Sequence, residues 1–246
     1  MRIRLFPVLL SAVCSLPAAF GQVAPAPVPV PAKAAHAGHF LNPAAFDIAA
    51  VMPAPPPAGS LPALADLETV LQVQRERTPE EVVWAKGVEK MNVFDAAAII
   101  GPWFSSEHLP YTARFLHQIY LDCHAVSERA KVLYDRPRPP FTDPAVHPCV
   151  PVPESTSYPS GHSTNGFVWA GVLGEIYPEH RAELQAWAHH YAWGRILGGV
   201  HFPTDDVGGR LLGQGLLKEL AKSPAFQAGL IKARAEAQPF LLKKAS

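Results

Sequence analysis

The sequence predicts an all-α domain. Apolar residues recur at helical spacing through most of the chain, and the segments so marked are bounded by helix-capping signals. No alternating apolar–polar run with hairpin turns occurs anywhere in the 246 residues. Charge narrows the function classes before any motif is read. Lys+Arg and Asp+Glu both number 21, so there is no basic stripe suited to nucleic acid and no polybasic segment suited to anionic lipid. Any anion-binding site has to be local.

The elements follow in order. Residues 1–21 read as a secretory signal, with Arg2 and Arg4 as its charged region and Leu5 to Phe20 as its apolar stretch. Ala19-Phe20-Gly21 supplies a small-residue cleavage site before Gln22. Beyond it no apolar run reaches the length of a membrane span, so the mature chain is expected to be exported and soluble. Cleavage leaves two cysteines, Cys123 and Cys149. In an oxidising compartment they are a candidate disulfide, with a pair of buried free thiols as the other outcome. Residues 22–60 are rich in Ala and Pro and lack periodicity, which suggests an extended, flexible lead-in. His36 and His39 sit in it without a third ligand, so no metal is expected there.

Helical punctuation covers 61–238, with 239–246 left as a tail. Leu64, Leu67, Val70, Leu71 and Val73 mark a first helix. Thr78-Pro79-Glu80-Glu81 combines a capping box with proline at the first helical position, starting a second. Gly101-Pro102 breaks the pattern. Tyr111 to Tyr134 is the longest helix, with Phe115, Leu116, Ile119, Tyr120, Cys123 and Val126 on one side. Residues 135–159 form a proline-rich loop. Ser160 to Ile176 is mostly apolar and therefore central. Further helices open at Pro178, at Thr204 with Asp205-Asp206, and at Ser223-Pro224.

Three short blocks carry the chemistry: Lys131-VLYDRP-Arg138-Pro139, Pro159-Ser160-Gly161-His162, and Arg195-ILGGV-His201-FPT-Asp205. Three cations, two histidines, one carboxylate and a glycine at a helix start suit a phosphoryl group. Cations and backbone N–H groups hold oxygens, one imidazole attacks phosphorus, and the other handles the leaving-group proton. The first-turn N–H groups after Ser160 point beyond the helix end, and Gly161 lets an anion approach them. Asp205 is placed to accept from Nδ1–H of His201 and leave Nε2 bare. Asp206 reads as a solvated cap or a partner of the helix dipole, and Arg136 as a competitor to Arg138 that spacing disfavours, either a supporting residue behind the site or a surface one.

These blocks resemble the signature K-x6-RP, PSGH and SR-x5-H-x3-D of the type 2 phosphatidic acid phosphatase superfamily, within which the soluble bacterial class A (non-specific) acid phosphatases are most similar. The resemblance covers roughly residues 55–225. It implies a single helical bundle of the class A acid phosphatase and vanadium haloperoxidase type. It also implies a phosphohistidine mechanism on small phosphomonoesters without metal or other cofactor, inhibited by vanadate and phosphate. His201, His162 and Asp205 would be catalytic, and Lys131, Arg138, Ser160, Gly161 and Arg195 would bind phosphate. The departure is Gly194, where the family usually has serine, which puts one supporting hydrogen bond in doubt. Vanadium haloperoxidases share the same residues on typically longer chains. A soluble lipid-phosphate phosphatase and a non-enzymatic periplasmic anion binder are the other readings. A homo-oligomer is compatible with the sequence.

Overall fold

Local capping chemistry sets where the helices start. The computed structural model describes residues 37–244, so the expected leader over 1–21, His36 and the beginning of the lead-in lie outside the described residues. The helices are α1 (Leu61–Glu76), α2 (Pro79–Gly87), α3 (Ala97–Ile100), α4 (Pro110–Tyr134), α5 (Pro139–Thr142), α6 (Gly161–Ile176), α7 (Arg181–Leu197), α8 (Pro203–Leu220) and α9 (Pro224–Lys244). No strand occurs among the described residues. At α2 the expected capping box is present: Glu81 N–H donates to Thr78 Oγ1 at 3.2 Å, and Thr78 N–H donates to Glu81 Oε2 at 2.8 Å. Ser160 caps α6 by accepting from Ser163 N–H at 3.2 Å. The long α4 ends at Asp135, whose φ of 41° turns the chain out of the helix.

The apolar α6 is the centre of the bundle, with Phe167, Val168, Trp169, Ala170, Val172 and Leu173 all buried. Its main neighbours are α7 and α8, with α4 alongside. Glycines on α8 allow the close approach that brings the site together. A Cβ at Gly209 would stand 2.6 Å from the carbonyl oxygen of Ser160, and one at Gly213 would stand 2.8 Å from that of Thr164. Close packing of this kind places the start of α8 beside the start of α6, and Ser160 N–H donates to Asp205 O at 3.0 Å across the junction.

Three expectations are corrected. Residues 37–60 are not a flexible lead-in. Asp122, fully buried on α4, accepts from the N–H groups of His39, Phe40 and Leu41 at 2.7–3.3 Å, and Leu41, Ile48 and Met52 enter the core. At the other end the tail is helical, because α9 continues through Pro239 to Lys244. Phe240 stacks on Trp103 at 5.2 Å with an interplanar angle of 4°, a contact that holds the chain past a residue which ordinarily interrupts a helix. The third correction concerns the cysteines, which are free thiols. Cys123 faces the main core from α4, whereas Cys149 packs on a separate cluster around Val150, Leu197 and Val200. Burial, with Asp122 beside it, pushes the Cys123 thiol far above its ordinary value.

Candidate active site

His201 precedes the first turn of α8 and Asp205 lies within it. Asp205 Oδ2 accepts from Phe202 N–H at 2.8 Å and contacts His201 Nδ1 at 3.1 Å. On the far side of the ring, Arg138 Nη1 lies 3.0 Å from Nε2. A guanidinium can only donate, so Nε2 is the bare nitrogen and the proton sits on Nδ1, donated to Asp205. This is the tautomer that the spacing predicts. Burial, countered by the Asp205 hydrogen bond, holds the His201 pKa well below its ordinary value, so the ring is neutral. Burial also raises the Asp205 carboxyl, but His201, Arg136 and Ser157 together outweigh it and keep the group ionised.

Two cations are held by the proline-rich loop before α6. Lys131, near the end of α4, donates through Nζ to the carbonyl oxygens of Thr156 at 2.7 Å and Pro159 at 2.9 Å. Arg138 donates from Nε to Ser155 O at 2.6 Å and from Nη1 to Val200 O at 2.8 Å. Burial and the charge of Arg138 push Lys131 down to about 8. Burial brings Arg138 down to about 10 despite Asp205. Arg195, near the end of α7, is only 2% exposed, yet its Nε and Nη1 have no hydrogen-bond partner among the described residues. Buried donors of this kind are uncommon in folded proteins and point to an anion as their natural partner.

Ser160 and Gly161 stand at the cap and first position of α6, as expected. His162 follows, with Nε2 within 3.0 Å of Val88 O and 3.1 Å of Glu89 O in the segment after α2. Carbonyl oxygens only accept, so this nitrogen carries the proton. Burial, with Arg195 adding to it, pushes the His162 pKa down to about 3. The ring lies 5.7 Å from that of Tyr191. His162 therefore belongs to the same charged neighbourhood as Arg195 and Lys131, but it is anchored on the α2 side and not on His201.

Sequence reasoning missed two partners, Ser157 and Asp66, and left a third, Arg136, open between a supporting and a surface place. Arg136 is buried and donates from Nη1 to Asp205 Oδ1 at 2.7 Å and from Nη2 to Asp66 Oδ2 at 2.7 Å. Ser157 Oγ donates to Asp205 Oδ2. Asp66 on α1 is 4% exposed and lies outside all three blocks. The one available signal for Arg136 was its place between aspartate and proline in the first block. Asp206 is corrected as well: burial and the charge of Asp205 push it up to about 7, and its Oδ1 is buried, so it is no solvated cap. Gly194 explains the departure from serine. A Cβ there would lie 2.5 Å from Val88 Cγ2 and 3.0 Å from Trp84 Cζ3, so α2 packs where a serine side chain would be.

Residues 115–225 match the PAP2 superfamily. The non-specific acid phosphatase of Salmonella typhimurium is 32% identical over 144 residues, covering 56% of this chain and 57% of that protein. The match thus spans little more than half the length of that relative. The non-specific acid phosphatase of Providencia stuartii is 28% identical over 213 residues, covering 80% of this chain and 84% of its own. Among solved structures, a bacterial vanadium-dependent iodoperoxidase shares the fold with a TM-score of 0.57 at 19% identity, over 71% of this chain and 53% of its own. A transmembrane PAP2-type phosphatidylglycerolphosphate phosphatase from Bacillus subtilis does so with a TM-score of 0.50 at 22% identity, over 71% of this chain and 89% of its own. No helix among the described residues is long and apolar enough to cross a membrane. With an all-helical architecture built around α6 and a family match running from α4 to the start of α9, the chain carries a PAP2 superfamily domain.

Proposed function

We propose that this chain is a phosphomonoester hydrolase that works through a covalent phosphohistidine on His201. The observation that supports it best is the fixed imidazole: Asp205 holds Nδ1, Arg138 marks the bare Nε2, and Arg195, whose Nε and Nη1 have no partner among the described residues, is close enough to Arg138 to act on its charge. As substrate enters, Arg138 Nη1 exchanges Nε2 for a phosphoryl oxygen. Nε2 then attacks phosphorus in line and the bond to the ester oxygen breaks. His162, protonated in the complex, delivers its proton to the departing alkoxide. Asp205 stabilises the positive charge that develops on the His201 ring. In the second step, water gives a proton to His162 and attacks phosphorus, releasing inorganic phosphate and restoring neutral His201. Lys131, Arg138, Arg195 and the first-turn N–H groups of α6 spread the charge of the equatorial oxygens throughout.

His201→Ala tests this reading. It is expected to lower kcat on an aryl phosphate by about a thousandfold or more with the helical fold retained by circular dichroism. Excess EDTA is expected to leave the wild type active, and vanadate is expected to compete with substrate more tightly than phosphate does. Near-normal turnover in the variant, or activity that EDTA abolishes and Mg²⁺ restores, would overturn the mechanism. Residues 1–21 are read as an export signal, so protein recovered from a bacterial periplasm should begin at Gln22. An intact Met1 on periplasmic protein would contradict that.

A further inference from the structure

A second layer of charge stands behind Asp205. Asp66, Arg136, Asp205 and the neutral His201 ring form one row of hydrogen bonds, and all four are buried, at 4%, 8%, 0% and 2% exposure. Arg136 occupies Oδ1 of Asp205 with Nη1 at 2.7 Å, while Oδ2 takes His201 Nδ1–H, Phe202 N–H and Ser157 Oγ. Its guanidinium lies 4.1 Å from the centre of the Phe202 ring, so it is fixed in position as well as in charge. Asp66 closes the row. Oδ2 accepts from Arg136 Nη2 at 2.7 Å and from Thr204 Oγ1, and Oδ1 accepts from Thr204 N–H at 3.1 Å. Thr204 Oγ1 in turn accepts from Arg136 Nη1 at 2.7 Å. One carboxylate on α1 thereby holds both the guanidinium and the first turn of α8.

We infer that Asp66 and Arg136 are positioning residues for His201: through Oδ1 they fix the plane of the Asp205 carboxylate, and so the Nδ1–H tautomer and direction of the imidazole. A carboxylate bonded only through Oδ2 can turn about its own axis. Bonded at both oxygens by donors from different elements, it cannot turn without breaking a charge-assisted bond. The arrangement has the form of outer partners that orient a functional imidazole. Asp66 is required because Arg136 alone would sit buried beside a single shared carboxylate and draw that charge away from His201.

The inference rests on His201 as the nucleophile, and two readouts keep the questions apart. Imidazole ¹⁵N shifts report the His201 tautomer without turnover, and steady-state kinetics on an aryl phosphate report its use. Asp66→Asn keeps the shape and removes the charge. The double variant Asp66→Leu/Arg136→Met leaves no buried charge unpaired outside Asp205 and guards against loss of fold. In the wild type, His201 is expected to show a protonated Nδ1 and a bare Nε2. Both variants, folded by circular dichroism, are expected to show mixed or averaged nitrogen shifts. Their kcat should fall by about tenfold or more with KM within about twofold, because the loss appears as charge develops on the ring. Asp66→Glu, which restores the charge, should recover part of kcat. Folded variants with wild-type shifts and wild-type kcat would overturn the positioning role. A wild type that holds the Nδ1–H form but hydrolyses no phosphomonoester would overturn the enzymatic reading, while the nitrogen shifts would still decide the positioning role.

Discussion

Gly161 separates folding from binding at a single residue. Its backbone is not in the left-handed region, and the nearest atom to an added Cβ is Ser127 Oγ at 4.0 Å. A methyl group therefore fits without strain. It would nevertheless stand beside the first free N–H groups of α6, where an oxyanion must approach. Gly161→Ala is expected to keep its melting temperature within about 2 °C, since no cavity or overpacking arises. It should also lose about tenfold or more in kcat/KM for phosphomonoesters. A fully active variant would show that the anion does not use this turn. The places of Gly161, His162, His201 and Asp205 were legible because each pair sits at one helix start, and that of Arg195 because it ends the helix just before, all at local spacing. Arg138 was separated from Arg136 by spacing alone, and the contact with Nε2 agrees. Which of the two readings of Arg136 holds was not legible, because its place depends on Asp66, 70 positions earlier in the chain, and no local pattern joins them.

Elements carry the same lesson in their packing. Helix starts at Thr78 and Ser160 were readable because a side chain and a backbone N–H three residues on decide them. The ordering of 37–60 was not readable, because its anchor is Asp122 in the middle of α4. The seating of α2 on α7 is of this long-range kind and bears on the site. Trp84 and Val88 fill the space beside Gly194, and the carbonyl of Val88 accepts from His162. Gly194→Ser, which restores the family's usual residue, is therefore expected to destabilise this chain. Overpacking of this sort costs about 1–3 kcal/mol. The push on Val88 should also disturb His162, and the result is read as a lower denaturant midpoint together with a stronger preference for substrates with good leaving groups over poor ones. A Gly194→Ser variant at least as stable as the wild type would mean that α2 gives way at no cost.

At the scale of the whole molecule, stability and phosphate binding are linked through protons. His162 is pushed down to about 3 and His201 well below its ordinary value, in both cases chiefly by burial. The ordinary imidazole titrates near about 6.5. Below that pH the unfolded chain takes up protons at both rings while the folded chain does not. The stabilising contribution of the neutral rings is therefore complete above about 6.5 and is lost progressively as pH falls towards 3. An enzyme active on the acid side works against this slope, and a bound dianion relieves it. Negative charge among Lys131, Arg138 and Arg195 offsets the cations that disfavour imidazolium, so the His162 pKa should rise when phosphate binds. Phosphate binding should then draw a proton onto His162 near pH 6. Titration calorimetry in two buffers of different ionisation enthalpy measures that proton. Phosphate titrates in the same range, so the quantity to compare is the uptake by the wild type minus that by His162→Asn. A positive difference approaching one proton is expected, with phosphate raising the melting temperature of the wild type more than that of the variant. Equal uptake by the two proteins would show that His162 stays neutral with the anion in place, and the leaving-group proton would then have to come from another group.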